Sequence, residues 1–530
     1  MKYIGKKILV LAICIVLTLS FILGACNTEP SVNGSSEEEH SSIIDAQSSE
    51  ESDSSEDISD DTSSDISGLR GGYDPTYGKY FVNMPEFKWS DKTEFKVLVY
   101  DNTIQKTYYS EEVGTDKPDI IDVFINESVR ERNDIVLEKY GVEIKAIYAS
   151  DVRQELVYDT LAGTGLYDAA MPFFLACTTL AQNGHLYNLA DERFNDYIDL
   201  NMPWWDQNTT ESFSIGNKVY FTTGDISFSQ KKTSLAVLFN KNMLAQKFPD
   251  VDLYKMVRNG EWTLDEMITL SKAVTKDTDG IAGFTYKDTW GLASSYSDAM
   301  MFYLASGERM ITKDANDFPN IAIGSERSIT VAQNVLEQLQ YQNKWVTHCN
   351  EYDVTDIWQK SLDIFTENRA LFRTSNLIVT KFLRQSNKTD LDFGVLPMPK
   401  YNAEQESYYT PCAALMAHAI VIPVGLPDPE FSAFMIEVMA CEAKNYITPA
   451  YYDYTLKYRD MRDDESAEML DIIFDNVVYD MDMVYNFGAA NIFTTLMNNR
   501  SNDFVSMFDY RRDHIIYAIE KMIFDIENLE

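Results

Sequence analysis

The chain has 530 residues, 45% hydrophobic and 13% aromatic, with a formal net charge of −38. That length exceeds one ordinary core and fits two or three domains. The charge argues against nucleic acid as a partner, because phosphate binding needs a basic surface.

The chain opens on an export signal. Lys2, Lys6 and Lys7 precede an almost unbroken apolar run from Ile8 to Ala25, long enough that a membrane span has to be weighed. Leu23-Gly24-Ala25-Cys26 decides against a span. It resembles a bacterial lipobox, where small residues fit the signal peptidase and the Cys thiol takes a diacylglyceryl group. Residues 1–25 are then expected to be removed, leaving Cys26 as the lipidated N-terminus. Two acyl chains hold a protein stably where one does not. The folded body is expected on the extracellular face of the cell membrane. A disordered tether is expected over 26–90. Within it, residues 27–69 hold 13 Asp or Glu and 14 Ser, with no Lys or Arg. Such a stretch buries too little apolar surface to offset its conformational entropy. As a flexible coil, ~60 residues span about 40–45 Å.

Beyond the tether, helix and strand patterns alternate. Phe95 to Tyr100 predicts a buried strand, and Ile120 to Tyr140 a helix with Gly141 as its C-cap. Val142–Tyr148, Val152–Leu161 and Tyr167–Phe173 continue as strand, helix and strand. This order favours a mostly parallel sheet with helices on both faces. Lys218 to Phe221 and Ser234 to Asn240 predict further strands, the second feeding a helix over Lys241–Phe248. Thr263 and Glu266 have the spacing of a capping box for a helix through Ala273. Asp277-Thr278-Asp279-Gly280, with Asp288 eleven residues after Asp277, has some features of a calcium loop. Ile281 and Ala282 occupy its fifth and sixth positions, where a ligand and Gly are expected. A polar turn is the better reading, and no metal is assigned.

Residues 199–230 are the densest in chemistry. Met202-Pro203-Trp204-Trp205-Asp206-Gln207 joins two indoles to a carboxylate and an amide, and Thr222-Thr223-Gly224-Asp225 follows. Flat rings match the C–H faces of sugars, and Asp, Asn and Gln match vicinal hydroxyls. Each Trp is equally consistent with ordinary core. Cys177, Cys349, Cys412 and Cys441 form no Cys-x-x-Cys pair, so one or two disulfides and four buried thiols both stay open. His40, His185, His348, His418 and His514 form no His-x-x-x-His pair, which argues against a zinc enzyme.

Several segments, in order, resemble family 1 extracellular solute-binding proteins, the lipid-anchored sugar receptors of Gram-positive ABC importers. They are Ala236-Val237-Leu238-Phe239-Asn240-Lys241, Glu261-Trp262-Thr263-Leu264 and Thr289-Trp290-Gly291-Leu292. Phe365 to Phe372 is similar to the family's "F-x-x-G-x-A-M/L-F" segment, with Asn368 in place of Gly. Asp392 to Pro399 is similar to its "G-x-x-P-x-P" strand end, and Tyr451 to Leu470 to a third family segment. The similarity runs over roughly residues 92–530.

The resemblance implies an α/β, two-lobed, periplasmic-binding-protein-like (type II) fold with an interlobe cleft and a helical C-terminal region. Lobe one is expected over 91–238 plus 363–412, and lobe two over 239–362 plus 413–530. It further implies a monomeric binding protein with no cofactor and no catalytic residue. Its ligand is a carbohydrate, expected to be an oligosaccharide, delivered to an ABC permease. The expected cleft residues are Trp204, Trp205, Asp206, Asp225, Trp290, Arg373 and Tyr409. Arg373 follows a predicted strand and has the donors to bond hydroxyls. A secreted glycoside hydrolase is the alternative, since aromatics and paired acids build those sites too. Peptide or another polar solute is the alternative within binding proteins. No Gly-x-Ser-x-Gly elbow or P-loop is present.

Overall fold

A computed structural model describes residues 70–102, 107–115, 122–385, 391–461 and 463–529. The signal segment, Cys26 and the acidic stretch lie outside the described residues. Regular structure follows directly after Arg70. Gly71–Asp74 and Lys79–Val82 pair as an antiparallel hairpin. Trp89 is buried among Tyr197, Phe431 and Phe434. Residues 70–90, expected as tether, therefore belong to the folded body. This stretch has aromatic surface to bury, which the Ser- and acid-rich stretch lacks.

The first sheet is parallel. Strand β1 (Glu94–Tyr100) lies between β2 (Glu143–Ala149) and β3 (Ala169–Ala170). Helix α1 (Val123–Tyr140) connects β1 to β2. Asp122 caps its N-terminus, and Gly141 ends it at φ 70, a conformation Gly reaches without a Cβ clash. Helix α2 (Val152–Ala162) connects β2 to β3. Val421 then pairs antiparallel with Ala170, and Ile420 with Thr222. The strand predicted over 218–221 reduces to a bridge from Lys218 to Ile215, and the one over 167–173 to β3.

The chain crosses through α3 (Ser229–Thr233) into β4 (Leu235–Asn240), which is buried along its whole length. Strands β5 (Trp290–Ser294), β6 (Val346–His348), β7 (Ala370–Asn376) and β8 (Phe393–Leu396) complete a second sheet. Its order is β6-β5-β7-β4-β8. β5 runs parallel to β6 and β7, while β4 is antiparallel to β7 and β8. β7 is followed by helix α4 (Val379–Gln385).

Two expected boundaries differ from this arrangement. Residues 363–412, expected in lobe one, supply β7 and β8 to the second sheet. Residues 413–450, expected in lobe two, bring Val421 to the first sheet. They also form helix α5 (Pro429–Pro449), which packs on α1. A short apolar run encodes burial, not which strand accepts its hydrogen bonds.

Ser234 pairs with Cys412 where the chain recrosses, and Thr410–Pro411 pairs with Val477–Val478. α5 runs directly into a π-helix, Ala450–Asp460. The C-terminal region is helical and ends in α6 (Phe504–Glu527), whose Ile515, Ile519, Met522 and Ile526 form a buried stripe at helical spacing, with Ile523 half-buried beside it. Cys177, Cys349, Cys412 and Cys441 are free and buried. Burial pushes the Cys349 and Cys412 thiols up to about 12, so they pack rather than react. No helix among the described residues is long and apolar enough to cross a membrane.

Candidate functional site

Ligands of open α/β sheets bind beyond the carboxyl ends of the strands. Here two such ends converge. Beyond β1 the chain reaches Glu111 and then the start of α1 at Asp122 and Ile125. Beyond β7 it reaches Leu377, Ile378 and the start of α4 at Lys381. All of these line one cavity of about 20 Å³. Lys232 of α3 forms its floor between the lobes. The π-helix supplies Tyr451, Thr455, Leu456, Arg459 and Asp460.

Charge holds this cavity together. Glu111 is 2% exposed and accepts hydrogen bonds from Lys232 and, at 3.3 Å, from Lys381. Burial alone would raise its pKa, but the two ammonium groups hold it below the usual carboxylate range. Lys381 comes from the second sheet's side and Glu111 from the first, so this pair bridges the lobes. Asn376 Nδ2 donates to Tyr108 Oη at 3.4 Å and bridges them again. His418 Nε2 donates to the Tyr108 carbonyl at 2.9 Å, and burial pushes the imidazole pKa down. Tyr100 stacks on Phe173 at 4.2 Å beside that ring. Arg459 pairs with Asp122 and Asp460. Burial pushes Asp460 up, against the pull of Arg459.

A π-helix is a rare arrangement that occurs often at functional sites. This one points residues in two directions. Tyr451 is buried and stacks on Phe228 at 4.3 Å. Tyr454 and Tyr458 are exposed, and the Tyr454 ring lies near-parallel to that of Phe124 at the start of α1, 6.1 Å away.

A second cavity, of about 170 Å³, is lined by the neighbouring Gln230, Lys231 and Ser234, with Asp206, Asn208 and the segment from Phe474 to Tyr479. Asp206 already has two partners there. It caps Thr209 N at 2.8 Å and accepts from Tyr479 Oη at 3.1 Å.

Of the seven cleft residues expected from sequence, only Asp206 lines either cavity. Trp204 is fully buried, and Trp205 donates Nε1–H to buried Glu437 at 2.8 Å. Trp290 is fully buried in β5 and donates to the Thr285 carbonyl at 3.0 Å. Asp225 is tied to Lys444 and Thr448 of α5, at 3.0 and 2.6 Å. Arg373 is buried within β7, its guanidinium 2.6 Å from Ser375 Oγ. Tyr409 is half-buried beside Gly307, under the Arg309 guanidinium. These residues are packing or pairing groups here, because indoles and paired ions are placed where burial satisfies them. The missed residues are Glu111, Lys232, Lys381 and the π-helix set. Lys231-Lys232 ahead of the apolar β4 run is a sequence signal that could have found Lys232; Glu111 and Lys381 carry none.

Asp277, Asp279 and Asp288 do converge, with carboxylate oxygens within 4.8 Å of one another. Asp288 is buried and accepts from the Thr278, Asp279 and Thr285 amides at 2.6, 3.0 and 2.7 Å. Burial opposes ionisation, but those amides hold its pKa low. The cluster organises a turn.

No protein-family model matches the sequence, and no curated protein matches it. Solved structures do share its fold. The chain has the two-lobed fold of the solute-binding proteins. A cyclo/maltodextrin-binding protein in complex with maltotetraose matches at 12% identity and TM-score 0.50, over 83% of this chain and 98% of that one. A receptor of Streptomyces glaucescens, solved unliganded and with acarbose, matches at 13% and 0.51, over 80% and 99%. An extracellular solute-binding protein of Staphylococcus aureus with maltose matches at 10% and 0.53, over 81% and 98%. At these identities the likeness is one of fold.

Proposed function

We propose that the protein is an extracellular solute-binding lipoprotein that captures a carbohydrate between its lobes and passes it to an ABC permease. The observation that carries this reading is the cavity at the carboxyl ends of β1 and β7. Its walls come from both lobes and are joined by the Lys381–Glu111 and Asn376–Tyr108 bonds. Sugar hydroxyls donate and accept, so they can replace these bonds as the lobes part and close again. Closure then needs only that the sugar bind the closed state better than the open one. The solved structures of this fold, in complex with maltotetraose, acarbose and maltose, support a sugar as the ligand. Anchoring through Cys26, removal of residues 1–25 and the permease partner follow from the lipobox and the family resemblance.

Hydrolysis is the second reading. Burial raises the Asp460 pKa as a general acid requires, while Glu111 stays ionised. Thermal shift against neutral and acidic oligosaccharides, followed by chromatography of each mixture, separates the two. A ligand at 100 times its Kd stabilises by about 2.7 kcal/mol. A stabilising sugar recovered intact supports capture. The same sugar recovered as shorter products overturns it in favour of hydrolysis.

A further inference from the structure

The second cavity, of about 170 Å³, is the roomier of the two described and lies on the other face of the crossing helix. At roughly 100° per residue, Lys232 points about 200° round α3 from Gln230, and Lys231 only about 100°. Lys232 lines the first cavity, while Gln230 and Lys231 line the second. The other walls come from both sides of the crossing. The Asp206 amide donates to the Thr223 carbonyl at 2.9 Å, beside the Thr222–Ile420 bridge on the side of the first sheet. Phe474 and Asp475 end the helix Asp464–Asp475, whose Ser466 Oγ accepts from the Val395 amide of β8 at 3.2 Å. Asn208 Nδ2 donates to the Val477 carbonyl at 2.6 Å and ties the two sides together.

Three polar groups in this cavity are left over. Gln230 is 5% exposed; its Nε2 donates to the Gly224 carbonyl at 3.4 Å, but its Oε1 accepts no hydrogen bond among the described residues. The Lys231 ammonium lies 5.8 Å from the centre of the Phe474 ring and forms no ion pair among the described residues, and neither does Asp475. A buried acceptor without a donor is costly, so Gln230 calls for a donor from outside the chain. Lys231 and Asp475 line one cavity without pairing with each other, which is complementary to a molecule carrying both signs of charge. The volume sets the size of that molecule, since a cavity of roughly 150 Å³ takes a benzene.

We propose that this second cavity binds a small free amino acid. Its ammonium group donates to Gln230 Oε1 and Asp475, its carboxylate accepts from Lys231, and a short side chain faces Phe474 and Val477. A neutral polyol leaves both charges unmet, and a simple cation is repelled by Lys231. Because the walls come from both sides of α3, the occupant bridges them at the crossing, on the face opposite the first cavity. The site stands independently of the carbohydrate reading.

Calorimetric titration of the full chain with glycine, L-alanine, L-serine and L-threonine tests this. Alaninamide, lactate and glycerol match alanine in size but carry only the positive charge, only the negative charge, or neither. At least one amino acid is expected to bind, and the three probes at least about 10-fold more weakly than the best of them. Lys231→Gln and Asp475→Asn alter positions that are half-buried and exposed, where substitution leaves the core filled. Each is expected to weaken binding of that amino acid about 10-fold or more. No binding of any of the four at millimolar concentration overturns the proposal. A probe that binds as tightly as the best amino acid also overturns it, because the site then does not read both charges. Unchanged affinity in either variant places the amino acid elsewhere and overturns it too. None of these results bears on carbohydrate capture, which the oligosaccharide panel tests separately.

Discussion

Two aromatic-rich stretches of this chain have opposite fates. Met202 to Asn208 places both indoles inside, Trp204 untouched by solvent and Trp205 bonded to buried Glu437. Ala450 to Asp460 buries Tyr451 but leaves Tyr454 and Tyr458 in water. In sequence the first looks more like a sugar site, because Trp and Asp are adjacent. In space the second borders the interlobe cavity. Aromatic content therefore marks surface that is costly to expose, and only the packing shows whether it was buried or left in solvent.

The largest effect expected from this contrast is at Trp204. Trp204→Ala should cost about 3–5 kcal/mol, because the first core cannot collapse into so large a void. Chemical denaturation measures it. A loss under about 1 kcal/mol would place Trp204 outside the core.

Glu111→Gln comes next. It leaves Lys232 buried without its counter-charge, at a cost of about 3 kcal/mol. Because Glu111 is held below its usual range in the fold, its stabilisation is present at neutral pH and lost as pH falls below the ordinary carboxylate range. The variant should be less acid-sensitive than the parent between pH 5 and 3. Parallel acid-unfolding curves for the two would contradict the pairing.

Glu437 gives the opposite sign. It sits in the apolar run of α5, and burial pushes its pKa up to about 8 despite donation from Trp205. The folded chain then holds one more proton than the unfolded chain between about pH 4.5 and 8. Its contribution to stability falls as pH rises, by about 1.4 kcal/mol per unit across that window. Asp480, pushed up to about 7 by burial and by Asp482, adds the same sign over a narrower range. Melting temperatures from pH 5 to 8 should decline in the parent and decline less in Glu437→Gln. Identical slopes would mean that Glu437 is ionised in the fold.

The smallest effect is the counterpart of the first. Tyr458→Ala should change stability by less than about 0.5 kcal/mol, as exposed positions do. A loss of about 2 kcal/mol would show that the ring packs against the body.

Much of the fold follows from local pattern. Apolar runs and Gly141 gave β1, α1, β2, α2 and β4 to within a few residues, because burial period and helix caps are written in neighbouring side chains. The α6 stripe is legible for the same reason. Strand partnership is not. ALFRT at β7 and FGVL at β8 are apolar enough for either sheet, and hydrogen-bond partners far away in sequence decided it. The cavity was less legible still. Glu111, Lys232 and Lys381 are ordinary charges in sequence, separated by 121 and 149 positions. They become one network only because the crossing at α3 brings the ends of two sheets together. Composition and spacing by themselves determined an acidic, α/β, two-domain-sized chain with an export-like start. Which aromatics are core and which remain in solvent was settled by tertiary packing, since exposure is a property of neighbours rather than of the residue.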